Sequence, residues 1–258
     1  MRVPVVQHRS RRRRALGRRA LWTGGEFLVT AGVVLLLLVV HELWWTNREA
    51  RQGAEHQVQA LERQWATPGT ARGGTPSANS GPAGGSSPRR STSADGSTTV
   101  TGSATNPHRS QAYAILTIPR LHLRVPIAEG VSKQNVLNKG YVGHYPGTQQ
   151  PGQAGNFALA GHRNTHGEPF RYLPRLRLKD TVQVETSAAT YTYTVDKILP
   201  QTSASDSGVI RPIPRSIVKP SYGYSRPGYY ITLTTCTPEF TSRYRMAVWG
   251  TLTSMRPR

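Results

Sequence analysis

Hydrophobic and polar positions change rhythm three times along this chain. Phe27 to Val40 is an uncharged apolar run, with Leu21-Trp22 before it and Leu43-Trp44-Trp45 after it. With those flanks it approaches the ~20 residues a helix needs to cross a bilayer. Its tryptophans fall where aromatic rings favour the membrane–water interface, and His41 and Glu42 lie at the outer edge. Beyond it, Ala54, Val58, Leu61 and Trp65 recur at spacings of four, three and four, which predicts a short amphipathic helix. Two turns of heptad are too few for a coiled coil. Weak self-association, a membrane-surface helix and a frayed polar stalk all remain open. From Ala66 to about Ser110 the chain is mostly Gly, Ser, Thr, Pro and Ala, too poor in large apolar groups to offset the entropy of ordering. It reads as a disordered linker, averaging roughly 35–40 Å end to end as a random coil.

The rhythm then becomes period two. Ala112–Ile118, Leu121–Val125, Asn156–Ala160, Thr181–Thr186, Tyr191–Val195, Tyr230–Thr235 and Met246–Leu252 read as strands. Helical stretches are short, around Gln134–Leu137 and Pro169–Leu176. Many short strands joined by Gly- and Pro-rich connections predict a closed β-barrel or a sandwich. The expected organisation is a basic segment over 1–20, a transmembrane signal anchor over 21–45, a juxtamembrane segment and linker over 46–110, and a mainly β domain over 111–258.

Charge sets the orientation. Lys and Arg total 33 against 13 acidic residues, a formal net charge of +20. Eight of those arginines stand within the first 20 residues: Arg2, Arg9, Arg11 to Arg14, Arg18 and Arg19. A basic cluster directly before an apolar span places the N-terminus in the cytoplasm and the β domain outside. No small-x-small cleavage site follows the span, which argues for an uncleaved anchor over a signal peptide. The arginine run also resembles basic nucleic-acid-binding runs. The apolar span behind it favours a topogenic role, with the cytoplasmic membrane as partner and no nucleic acid.

Cys236 is the single cysteine, at the end of Ile231-Thr-Leu-Thr-Thr-Cys236. Exported proteins generally pair their cysteines, so a lone thiol outside the membrane asks for a chemical role beyond that of a buried core residue. Thr232, Thr234 and Cys236 share one face of the run, and Ile231, Leu233 and Thr235 share the other. A thiol on the mostly hydroxylic face is less expected in plain core. A cysteine nucleophile needs an imidazole or cation nearby and a group to stabilise the developing oxyanion. His162, in Ala160-Gly-His162-Arg-Asn-Thr, and Arg243 or Arg245 are the candidates. Strand parity does not choose between the two arginines. Nothing has metal-ligand spacing, and no cofactor is implied.

These residues resemble the sortases, membrane-anchored cysteine transpeptidases of Gram-positive bacteria. The resemblance rests on Thr-Leu-Thr-Thr-Cys236 with Arg245 nine residues on, Ile118-Pro-Arg-Leu121, His144-Tyr-Pro-Gly-Thr148, Pro151-Gly-Gln-Ala-Gly-Asn156, Ala-Gly-His162-Arg163 and Glu168-Pro-Phe170. It covers nearly all of 112–253 and is most like the actinobacterial class E sortases. It implies an eight-stranded sortase β-barrel with short helices. Cys236 would be the nucleophile, His162 the general acid/base, and Arg245 the group that holds substrate backbone and stabilises the oxyanion, with Arg243 as the fallback. Thr234, Thr235 and Tyr145 would line the substrate groove.

The resemblance further implies cleavage after Thr in a C-terminal Leu-Ala-x-Thr-Gly or Leu-Pro-x-Thr-Gly signal, through a thioacyl enzyme. Surface proteins bearing that signal and a peptidoglycan-precursor amine would be the partners. His166 stands where family members often carry an aromatic residue, as a supporting group or a rival base. His122 and His144 read as ordinary imidazoles and Arg163 as a loop cation. No Asp-Pro-aromatic lid precedes the barrel, which favours general anchoring over pilus assembly. The alternatives are another cell-wall cysteine peptidase, an L,D-transpeptidase, or a basic wall-binding module without catalysis.

Overall fold

The computed structural model describes residues 9–66 and 107–258; most of the predicted linker lies outside the described residues. The α-helix α1 (Arg9–Ala66) spans 58 residues, roughly 87 Å at 1.5 Å per residue. From Gly24 onward it contains a stretch long and apolar enough to cross a membrane, judged by length and composition. The large apolar side chains between Phe27 and Val40 are all exposed. The same helix runs without a break into the 46–66 segment. There Ala50, Ala54, Val58 and Leu61 are buried. The amphipathic stripe is therefore covered by the chain's own β domain: Val58 and Leu61 pack on Ile115, with Trp65 at the margin.

Eight strands follow: β1 (Ala112–Ile118), β2 (Leu123–Glu129), β3 (Val142–His144), β4 (Gly155–Ala160), β5 (Thr181–Thr186), β6 (Ala189–Ser203), β7 (Tyr229–Thr237) and β8 (Tyr244–Pro257). They close into a barrel in the order β1-β2-β3-β4-β7-β8-β6-β5. Closure leaves no unpaired edge to template aggregation. The pairs β2–β3 and β4–β7 are parallel; the remaining pairs are antiparallel. Helical structure in the β domain is limited to short 3₁₀ turns, including Leu137–Lys139 and Leu173–Arg175.

Alternation sorts the barrel wall. Leu116, Phe157, Leu159, Ile231, Leu233 and Val248 point inward to the main core. The outer face of β6–β8 is covered as well. Leu199, Ala247 and Trp249 pack there with Val209, which belongs to the connection between β6 and β7. The Trp249 indole Nε1–H donates to the Val209 carbonyl at 3.1 Å, and the Thr232 hydroxyl donates to the same oxygen. This cover explains why Thr232 is buried although it faces away from the barrel interior; Thr234, buried on the same face, meets the Tyr145 hydroxyl and the Leu159 carbonyl instead. Asp206 anchors the cover, accepting hydrogen bonds from Thr202, Ser216 and the Ile217 amide.

Candidate active site

Register brings the candidate residues together. In the parallel β4–β7 pair Ala160 lies opposite Thr234, and the Gly161 amide donates to the Thr234 carbonyl at 3.1 Å. His162 and Cys236 each come two residues beyond that pair, His162 in the loop that follows β4 and Cys236 still within β7. On the other side of β7, Cys236 is paired directly with Arg245 of β8. Inward-facing Leu233 and Val248 fix the parity. Thr234, Cys236 and Arg245 therefore face outward along the same wall. Cys236 is half-buried.

Arg245 donates from one guanidinium nitrogen to the carbonyls of Ser242 at 2.7 Å and Tyr244 at 3.0 Å. Arg243 precedes the strand and lies over the Tyr244 ring at 5.2 Å. Only Arg245 sits in the ladder beside the thiol.

His162 is held by residues remote in sequence. Its Nε2 lies 2.9 Å from Asn138 Oδ1, in the Leu137–Lys139 turn. With the amide oxygen as acceptor, Nε2 carries the proton and Nδ1 keeps its lone pair. His166 stacks on the other side, ring centroids 5.4 Å apart. Burial pushes the His162 imidazole down to about 4 from its ordinary 6.5, with His166 and Lys133 adding like-charge repulsion. Burial also lowers His166. At neutral pH both rings are uncharged.

The loop carrying His162 closes on itself. The Phe170 amide donates to the His162 carbonyl at 2.9 Å, and the fully buried Phe170 ring lies against Gly161. A Cβ at Gly161 would meet that ring at 2.6 Å, so only glycine permits the approach. Arg163, read from sequence as a loop cation, turns back over β7. Its guanidinium donates to the Cys236 carbonyl at 3.3 Å and the Thr237 hydroxyl at 3.0 Å.

The other sequence candidates separate. The Tyr145 and Thr234 hydroxyls meet at 3.0 Å on the outer wall. Thr235 points the opposite way and donates to the Gly161 carbonyl at 2.8 Å, tying β7 to the chain that leads to His162. His144 is buried beneath, 2.6 Å from Glu129 and 2.9 Å from the Thr148 hydroxyl. His122 ends a 3₁₀ turn. Sequence reasoning missed Asn138, whose contact with His162 spans 24 positions and leaves no periodic signal. No cluster of three or more His, Cys, Asp or Glu suited to a metal occurs among the described residues.

Comparison with known proteins adds a family. The sortase-domain family profile matches residues 116–253. Sortase SrtE1 of Streptomyces coelicolor is 43% identical over 91% of this chain, and sortase SrtE2 of the same organism is 32% identical over 88%. The chain spans 57% of the length of the first relative and 80% of the second. Among solved structures, sortase E1 from S. coelicolor, crystallised with a tripeptide in its active site, aligns at TM-score 0.55. It is 51% identical over 59% of this chain and 94% of its own. Sortase E from Streptomyces avermitilis aligns at TM-score 0.52 with 39% identity, over 58% of this chain and 93% of its own.

Proposed function

This chain belongs to the sortase family, and we propose that it is a membrane-anchored cysteine transpeptidase in which Cys236, His162 and Arg245 carry the chemistry. The observation behind this reading is the strand register that brings the ends of β4, β7 and β8 to one wall of the barrel. The substrate is a surface protein ending in a Leu-Ala-x-Thr-Gly or Leu-Pro-x-Thr-Gly signal. The Cys236 sulfur attacks the Thr carbonyl while His162, through Nδ1, takes the thiol proton. Arg245 stabilises the tetrahedral oxyanion. Collapse breaks the Thr–Gly bond. His162 passes its proton to the departing glycine amine, leaving a thioester on Cys236.

A peptidoglycan-precursor amine then attacks the thioester, giving its proton to His162, and a new amide bond releases the thiol. Asn138 keeps Nε2–H occupied so that Nδ1 remains the working nitrogen. The Tyr145–Thr234 hydroxyl pair borders the groove that receives the signal peptide. The apolar span of α1 anchors the protein, with the N-terminal arginines in the cytoplasm and the barrel outside.

The test uses the full chain in detergent, a quenched Leu-Ala-x-Thr-Gly peptide and an added amine. The expected product joins the peptide, cut after Thr, to the amine, and disappears with Cys236→Ala. Arg245→Ala should lower kcat/KM by about 10²–10³-fold, the typical loss for an oxyanion donor, while Arg243→Ala stays near wild type. No thiol-dependent turnover of this or the Leu-Pro-x-Thr-Gly peptide by folded protein would overturn the reading.

A further inference from the structure

The segment of α1 just beyond the apolar span does more than rest on the barrel. Asn47 and Arg51, one helical turn apart, grip two consecutive residues of the loop that carries His162. The Asn47 side chain accepts from the Gly167 amide at 3.2 Å and donates to Glu168 Oε1 at 3.1 Å. Arg51 donates from Nε to the Gly167 carbonyl at 3.1 Å and from Nη2 to Glu168 Oε2 at 3.0 Å. The Glu168 side chain is only 4% exposed and takes a further bond from Arg171 at 2.7 Å. Both Gly167 and Glu168 have positive φ, 81° and 52°, so the turn is held in a conformation that is uncommon for a glutamate.

Between these two helix residues, Ala50 presses on a second support of the same imidazole. A Cβ at Gly140 would meet the Ala50 carbonyl oxygen at 2.7 Å, so the helix backbone sits directly against the residue that caps the Asn138 turn. One face of one helical turn thus touches both structures that hold His162: the loop closed by the Phe170–His162 bond and the turn presenting Asn138.

We propose that Asn47 and Arg51 are positioning residues for His162, so that docking of the membrane-proximal helix sets the geometry and the dryness of the imidazole. The inference rests on the transpeptidase reading above. The helix is continuous with the membrane-crossing stretch, so the anchor and the working histidine form one mechanical unit. A barrel detached from α1 keeps its nucleophile strand and its Arg245 pairing but loses the external hold on His162.

The experiment compares full-length wild type, Asn47→Ala/Arg51→Ala and Arg51→Lys in detergent. Glu62→Gln is the control; it removes an α1–barrel ion pair, 2.7 Å from Glu62 to Arg124, away from the loop. Peptide turnover, the pH titration of the His162 ring by NMR and amide exchange over 163–170 are measured on each. The double variant should lose about ten- to a hundredfold in kcat, the scale for a misplaced catalytic group, with KM nearly unchanged. Its His162 midpoint should rise toward 6.5, and its loop amides should exchange faster. Arg51→Lys should recover part of each effect, and Glu62→Gln none.

Unchanged kcat and loop exchange in the double variant, or equal changes in Glu62→Gln, would overturn the proposal. If wild type turns over neither peptide, the function assigned above fails while exchange and titration still decide this inference. Should the double variant not fold, the single Arg51→Ala exchange and titration data serve the same purpose.

Discussion

Acidification is the sharpest probe of the site, because His162 is held uncharged well below the pH at which a free imidazole titrates. Burial is the main cause and the neighbouring His166 and Lys133 the lesser ones; together they move it from 6.5 to about 4. An unfolded chain therefore binds a proton at this position near pH 6.5 that the folded chain refuses until about pH 4. Stability is fully present above pH 6.5, erodes as the pH falls through this window, and has lost the whole contribution below about pH 4.

A displacement of this size corresponds at most to about 3 kcal/mol, and to roughly half of that once the part of the ring facing solvent is discounted. The assay is urea unfolding of wild type and His162→Gln between pH 4 and 7. NMR titration of the imidazole runs alongside. Wild type should lose on the order of 1.5–3 kcal/mol more than the variant across the window. The ring should remain the neutral Nε2–H tautomer at pH 5.5. A ring midpoint at or above 6.5, or parallel stability curves for the two proteins, would refute the buried, Asn138-bound imidazole. Because His166 is also lowered by burial, His166→Phe should act mainly where both rings would charge, sharpening the acid step.

Two further outcomes follow from packing. Phe170→Ala should destabilise the protein by about 3–5 kcal/mol in denaturant unfolding, since it removes a fully buried ring from the core. Phe170→Leu should cost less, and both should slow turnover by loosening the closure at His162. Asp206→Asn should cost about 1–3 kcal/mol near neutral pH, because an amide NH₂ cannot accept from the Thr202 and Ser216 hydroxyls. Burial pushes the Asp206 carboxyl up, but its four hydrogen bonds prevail and hold it below the usual range. Wild type should therefore lose this increment as pH falls below that range, whereas the asparagine variant should not.

The strands were legible because a half-buried β ladder writes its period directly into neighbouring residues. Ala112–Ile118 and Thr181–Thr186 match to the residue, while β6 and β8 extend beyond their alternating centres along the long antiparallel β6–β8 ladder. The three-residue β3 was not legible; so short a segment carries no period, and it pairs only because β2 and β4 flank it. The stripe Ala54, Val58, Leu61 was visible as a helix face, but nothing local named what covers it.

Residue chemistry alone singled out Cys236, His162 and two arginines. The pairing of Cys236 with Arg245, the Asn138 contact and the grip of Asn47 and Arg51 on Glu168 belong to tertiary structure. The same division explains Thr232: parity assigned its face, and only the β6–β7 connection decided that it would be buried there. Local sequence determines period and donor type because both depend on adjacent residues. Which distant group meets a given side chain depends on barrel closure and on where the long helix docks, contacts between positions up to 121 residues apart.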